Sequence, residues 1–297
     1  KFGIIRLCGS VGSTAYYYLC CLDGTLILKN GDSNWAFKLH KRIISHVKFI
    51  PRDNNFWLVV SCGLDNYLKL HLLDLTKLTL KELSSVKLLS PCTSLQVARE
   101  EVSGDPMVLL TRQDFTHVMC YKISQQRLIV CYKIALNNSQ FSAFAFNVRD
   151  MVILGDTAPD GLHNVSSRST LAVVTSHIPF MRLLLVEIPT LDSAEISETN
   201  AKTFYDKVLR NMATEVSQDP YSQPILAALQ HGNGVLVGGN QGLYAIDIEQ
   251  GDSWLLDVSQ ILKGQRIKCM QANRSGTKLV LSLSNRAVHL FNLVTKR

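Results

Sequence analysis

The stretch from His46 to Leu75, HVKFIPRDNNFWLVVSCGLDNYLKLHLLDL, reads as three short strands joined by two turns. Val47, Phe49 and Pro51 alternate as a half-buried strand should. RDNN then supplies a turn, because Asp and Asn bond their own backbone and tolerate unusual φ/ψ. FWLVVSCG is a nearly continuous apolar run rich in aromatic and β-branched residues, and after LDNY the segment LKLHLLDL alternates Leu68, Leu70 and Leu72 with Lys69 and His71. Three antiparallel strands, with a fourth from the linker that follows, make one small twisted sheet. Such a sheet cannot bury both faces alone, so it must stack against copies of itself.

The unit resembles a WD40 repeat. The resemblance is carried by the apolar-x-apolar-x-Pro opening at Val47, Phe49 and Pro51, by Asp65 in the tight turn, and by the third strand ending LLDL. Where that family carries Trp in the last strand this chain has His71, and no Gly-His pair precedes the unit. The resemblance implies a β-propeller.

Comparable units recur. Tyr16–Leu22, the Asp23-Gly24 turn and TLILKN form one before it, and Ile4 lies 43 residues ahead of Val47. Later units open near Leu95 and Ala143, at steps of 48 residues, and at Ile225 and Ile267, separated by 42. The 82 residues between Ala143 and Ile225 hold a long polar insertion, GDTAPDGLHNVSSRS, and a segment that reads as a helix. From Asp192 to Val216, the residues Ala201, Phe204, Tyr205, Val208 and Met212 recur at spacings of three and four, and acids crowd the first half. The expectation is an all-β chain in one domain over 1–297: a β-propeller of six or seven four-stranded blades with a helical insertion at about 192–216.

Composition narrows the function classes. No run of 18 apolar residues exists, so no membrane-spanning helix is expected. The opening KFGIIRLCGS has no start Met and no signal-peptide pattern, which suggests that the chain lies inside a longer protein. Eight scattered cysteines without a CxxC pair read as buried reduced thiols, and hence as a reducing compartment, cytoplasm or nucleus. The net charge of +7 falls wholly in residues 1–150, with 18 Lys and Arg against 11 acids.

No phosphate-binding loop, G-x-S-x-G elbow or H-E-x-x-H motif occurs, and the glycines of GNGVLVGGNQG lie between strands rather than at a helix start. The histidines are not clustered at metal-ligand spacing, and Asp23 and Asp65 read as turn residues that bond the backbone. The expectation is no catalysis, no cofactor and no metal. The charged cluster that stands out is KLHKRIISHVK, where Lys38, His40, Lys41, Arg42, His46 and Lys48 occur without an acid between the first and second units. Lys38, His40, Lys41, Arg42 and Lys48 are therefore the candidate partner-binding residues, suited to an acidic peptide, a phosphopeptide or a nucleic-acid backbone.

The chain thus reads as an interaction scaffold that binds other protein subunits or peptides in a eukaryotic assembly. Its basic first half makes nucleic acid a possible partner and suggests a ribosome-assembly or chromatin-linked complex. A second resemblance points elsewhere. Val237–Tyr244 and the units after it are similar to the citron-homology propellers of Rho exchange factors and vesicle-tethering subunits, which implies a trafficking or small-GTPase-regulator role.

Overall fold

The computed structural model describes residues 4–11, 16–53, 55–113, 117–136, 147–154, 162–166, 169–177, 180–189, 202–205, 208–214, 225–229, 234–238, 243–247, 253–256, 258–273, 277–285 and 287–294. The first sheet is a meander of β1 (Ile4–Val11), β2 (Tyr16–Cys21), β3 (Thr25–Asn30) and β4 (Ser33–Lys38). The stretch that opened the sequence reading becomes β5 (Ile44–Pro51), β6 (Phe56–Gly63) and β7 (Tyr67–Asp74), and β8 (Thr79–Lys87) follows from the linker. A third sheet contains β9 (Cys92–Glu100), β10 (Pro106–Arg112), β11 (His117–Ser124) and β12 (Arg127–Ala135).

The fourth contains β13 (Asn147–Leu154), β15 (Thr170–His177) and β16 (Phe180–Glu187), and the short β14 (His163–Val165), between β13 and β15 in the chain, is not part of it. Next come β17 (Lys202–Tyr205) and β18 (Val208–Thr214), and the sheet order is β13-β15-β16-β18. The fifth sheet is β19 (Ile225–Leu229), β20 (Gly234–Gly238), β21 (Leu243–Asp247) and β22 (Ser253–Leu256). After α1 (Ser259–Leu262), a three-stranded sheet of β23 (Ile267–Ala272), β24 (Lys278–Leu283) and β25 (Val288–Asn292) ends the described chain.

The alternation in the second unit sets its register. Phe49 lies opposite Val59 and Val60 opposite Leu70, so Val59 faces one neighbouring sheet and Val60 the other. β6 is therefore buried on both faces, which explains its nearly continuous apolar sequence. The outer strands β4 and β8 interleave exposed polar and charged residues with half-buried apolar ones, and the exposed charges discourage further pairing.

The described residues form two compact units, one holding most of β1 to β12 and the other β13 to β16 and β18 to β25. Within the first, Leu26, Leu28, Leu39, Val47, Val59 and Leu73 make a buried cluster between the first and second sheets. Within the second, Leu154, Leu183, Leu185, Val235, Val237 and Ile246 do the same between the fourth and fifth. Leu236, Leu243, Leu279, Leu281 and Phe291 join the fifth to the sixth. Stacking of one apolar sheet face on the next is what the repeat pattern required.

The helix expected at 192–216 is not formed where that segment is described. Lys202–Tyr205 and Val208–Thr214 are strands, and β18 pairs antiparallel with β16, Leu183 opposite Met212. The remaining residues of the segment lie outside the described ones. The cause is tertiary. β16 offers a backbone edge, and VLRNMAT alternates well enough to satisfy it, so pairing overrides a helical spacing that was only locally favoured. Among the described residues the one helix is α1, at the junction of the fifth and sixth sheets, where Leu262 enters the shared core. No described helix is long and apolar enough to cross a membrane.

The Asp23-Gly24 hairpin turn is packed as well as bent. Gly24 has φ +88°, and a Cβ there would stand 2.2 Å from the His40 carbonyl oxygen and 2.3 Å from that of Arg42. Gly31, at φ +55°, has open space around it. Gly24→Ala is therefore expected to cost on the order of 3 kcal/mol, against about 1 kcal/mol for Gly31→Ala, read from chemical unfolding midpoints.

Candidate functional site

The basic run between β4 and β5 is held at both ends by turns. Leu39 and His40 each donate a backbone N–H to the Gly24 carbonyl at 3.1 Å, tying the linker to the β2–β3 turn. On the other side Lys41 donates its backbone N–H to Asp65 Oδ2 at 2.9 Å, and Leu64 donates to the Ile43 carbonyl at 2.8 Å. The Asp65-Asn66 turn can bend this sharply because Asn66 takes φ 62°, a conformation Asn tolerates.

His40 sits at the centre of this arrangement, only 2% exposed. Its Nδ1 lies 2.9 Å from Asp65 Oδ1 and its Nε2 2.9 Å from Ser61 Oγ. A carboxylate can only accept, so Nδ1 carries the proton and donates, and Nε2 accepts from the Ser61 hydroxyl. Burial pushes the His40 pKa down, outweighing the pull of Asp65, so the ring is neutral at pH 7. Burial raises Asp65, but the Lys41 amide and the His40 ring hold its carboxyl below the usual range. Gly63 leaves room for the ring, since a Cβ there would stand 2.6 Å from His40 Cγ and Nδ1.

Serine, histidine and aspartate in this order have the connectivity of a nucleophile, its base and an orienting acid. Ser61, however, has 0% exposure and lies inside β6, so no carbonyl carbon can reach its Oγ. The cluster is a structural clasp. Among the described residues no group of three or more His, Cys, Asp or Glu is placed to hold a metal ion.

The five candidate residues are thus separated by the fold. His40 is a correction: it is a buried, neutral clasp rather than an exposed partner-binding residue. Lys38 is exposed at the end of β4 but bound to the β2–β3 turn, with Nζ donating to the Asp23 carbonyl and 3.4 Å from Asp23 Oδ2. Lys48 is half-buried within β5. Lys41 and Arg42 are exposed, on a backbone fixed at Gly24 and Asp65. The sequence signal for the clasp was a turn Asp preceded by a histidine 25 residues earlier, with the intervening basic residues masking it.

His71, at the position of the expected Trp, is 3% exposed and faces Glu82, whose Oε2 lies 3.8 Å from Nε2. Burial outweighs the attraction of Glu82 and lowers the His71 pKa to about 4. The described cysteines Cys20, Cys21, Cys62, Cys92, Cys120 and Cys131 are buried, and Cys269 is half-buried.

Residues 1–292 match the family described as UCP007778, beta-propeller domain. The chain belongs to that family. Its six described sheets are accordingly propeller blades. The chain is 39% identical over 312 residues to the Saccharomyces cerevisiae "Uncharacterized protein YGR117C", covering 98% of this chain and 64% of that protein's length. Two solved structures share the fold at 14% identity. The Dos1 propeller has a TM-score of 0.59, over 98% of this chain and 68% of its own. Saccharomyces cerevisiae Sqt1 has a TM-score of 0.61, over 100% and 73%. At this identity the likeness shows the propeller fold alone.

Two measurements test the clasp. Asp65→Ala removes the acceptor of both the His40 ring and the Lys41 amide, and is expected to lower unfolding free energy by about 2–4 kcal/mol. Asp23→Ala, on an exposed turn, should change it far less. His71 binds its proton more weakly in the folded chain than in the unfolded one, so the unfolded state gains protons first as pH falls. Its contribution is complete above pH 6.5 and is lost between 6.5 and about 4, amounting to about 3 kcal/mol. Unfolding midpoints measured from pH 7 to pH 4.5 should fall less steeply in His71→Leu than in the parent.

Proposed function

We propose that the protein is a non-catalytic, WD40-like propeller scaffold that binds other protein subunits or peptides in a eukaryotic multi-protein complex. The observation that carries this reading is the exposed Lys41–Arg42 pair on a backbone held by the buried His40–Asp65–Ser61 clasp. A cation pair on a mobile loop would lose conformational freedom on binding. On a backbone already fixed, that cost is reduced, and acidic groups can be met with charge-assisted hydrogen bonds. The buried triad supports a non-enzymatic role at this site, since its serine is closed to substrate. Buried thiols in β-strands favour a reducing compartment, cytoplasm or nucleus. Because this chain spans 64% of the length of its curated relative, the activity of the whole protein belongs to the same proposal.

The test is affinity purification of the full protein with mass spectrometry, beside a Lys41→Glu/Arg42→Glu copy. Both side chains are exposed and the Lys41 N–H is retained, so the variant should unfold at an unchanged midpoint. A stable set of subunits that drops out in the variant is the expected result. An unchanged set would remove the rim assignment, and no stable partners would remove the scaffold reading. If the lost component is nucleic acid, its binding should fall steeply with salt.

A further inference from the structure

Two thiols and an imidazole meet where the second sheet packs on the third. His46 in β5 lies across from Cys62 in β6. β5 also runs beside β9, whose first residue is Cys92. The Cys62 thiol donates a hydrogen bond to the Cys92 sulfur, and the His46 ring hydrogen-bonds the same sulfur. Cys92 Sγ in turn donates to the Ser94 carbonyl at 3.3 Å. Cys62 has 0% exposure and Cys92 5%. Among the described residues His46 Nδ1 is buried without a hydrogen-bond partner. The His40–Asp65–Ser61 clasp uses none of these three side chains.

The two sulfurs are not equivalent. Burial pushes the Cys62 thiol well above its usual range, and its contact with Cys92 adds to this. Burial acts on Cys92 in the same direction. There the hydrogen bond from Cys62 and the His46 ring outweigh it, and the thiol falls below its usual range. Cys21, Cys120 and Cys131 are all pushed up by burial. The pair thus joins a sulfur that readily becomes a thiolate to one that keeps its proton, as an attacking and a resolving cysteine do.

Both cysteines stand at strand ends. Cys62 is the penultimate residue of β6 and Cys92 the first of β9. The linker before Cys92 is fastened by Leu88 donating to the Asn66 carbonyl and Gln113 to that of Pro91. Strand ends held in this way open locally without global unfolding, and a molecule as small as peroxide enters when they do.

We propose that Cys92 and Cys62 are an oxidation-sensitive pair, which hydrogen peroxide converts to a disulfide stapling the second sheet to the third. The Cys92 proton passes to His46, and the Cys92 sulfur attacks one peroxide oxygen. An S–O bond forms, the O–O bond breaks, and the departing hydroxide leaves as water with the proton from His46. Cys62 then attacks the Cys92 sulfur. An S–S bond forms, the S–O bond breaks, and a second water leaves with the Cys62 proton. Two thiols are oxidised and one peroxide is reduced to two waters. Glutathione reverses the bond by thiol–disulfide exchange, so the staple is transient in a reducing compartment. The proposal does not depend on Lys41 and Arg42.

The experiment treats the native chain with hydrogen peroxide at neutral pH, blocks remaining thiols with N-ethylmaleimide, and maps linked peptides by mass spectrometry. A Cys62–Cys92 link, removed by dithiothreitol, is expected before any other pair forms. Cys62→Ser should stop at a Cys92 sulfenic acid, trapped by dimedone, and Cys92→Ser should leave Cys62 a thiol. His46→Gln should slow linkage by about tenfold or more. The oxidised parent should unfold at a higher denaturant midpoint than the reduced one, a shift absent from Cys62→Ser treated alike. The proposal is overturned if the native chain forms no such link, if Cys20, Cys21, Cys120 or Cys131 react as fast, or if linkage needs urea. It is overturned too if His46→Gln links at the parent rate, or if oxidation lowers the parent's midpoint.

Discussion

One buried histidine ties the first two blades together. His40 leaves the exposed end of β4, turns inward, and spans from the Asp23-Gly24 turn of one sheet to the Asp65 turn and Ser61 of the next. Each part of it is constrained. Gly24 must lack a side chain because the linker backbone lies against it, and Gly63 must lack one because the ring does. Asp65 serves two donors, one from the ring and one from Lys41. A neutral ring suits the site, because burial disfavours the imidazolium while both nitrogens still have partners. Placement of the blade's rim thus follows from hydrogen bonds made beneath it.

Away from that clasp the blades are held by apolar stacking. A propeller sheet such as β5–β8 has two faces to cover, and the clusters at Val59 and Leu73 and at Val235 and Val237 show neighbours doing so. This rule leaves few free choices for inner strands and many for outer ones. β6 is apolar apart from Ser61, whereas β8 mixes polar and charged residues with Leu and Val, and its Glu82 meets Lys69 of β7 at 2.6 Å. Function in such a fold belongs to outer strands and linkers, where sequence is released from packing. The likeness to Dos1 and Sqt1 is of this kind: the stacking is shared while only 14% of residues are.

Charge in this chain is distributed by element. A cation in sequence is not a cation at the surface with freedom to bind. Lys38 is engaged by Asp23, His40 is neutral and inside, and Lys41 and Arg42 remain. At the other end, the even balance of residues 151–297 conceals a final blade without a single acid. Averaging over half the chain hid the feature that averaging over one blade reveals.

The sequence by itself determined that the chain is a series of β-sheets stacked on one another. Alternation in LKLHLLDL, the apolar run FWLVVSCG and the Asp-Gly and Asp-Asn turns are local signals, and each sets a strand or a bend without reference to anything distant. Asp65 was legible as a turn residue for the same reason. What tertiary structure decided was every feature that needed a partner. Phe204, Tyr205, Val208 and Met212 fit a helical face as well as Val208–Thr214 fits a strand, and only the waiting edge of β16 resolved the ambiguity. His40 looked like a member of a basic run because its partners lie 21 and 25 residues away. Burial and hydrogen bonding depend on what chain folding brings near, and that information is not local.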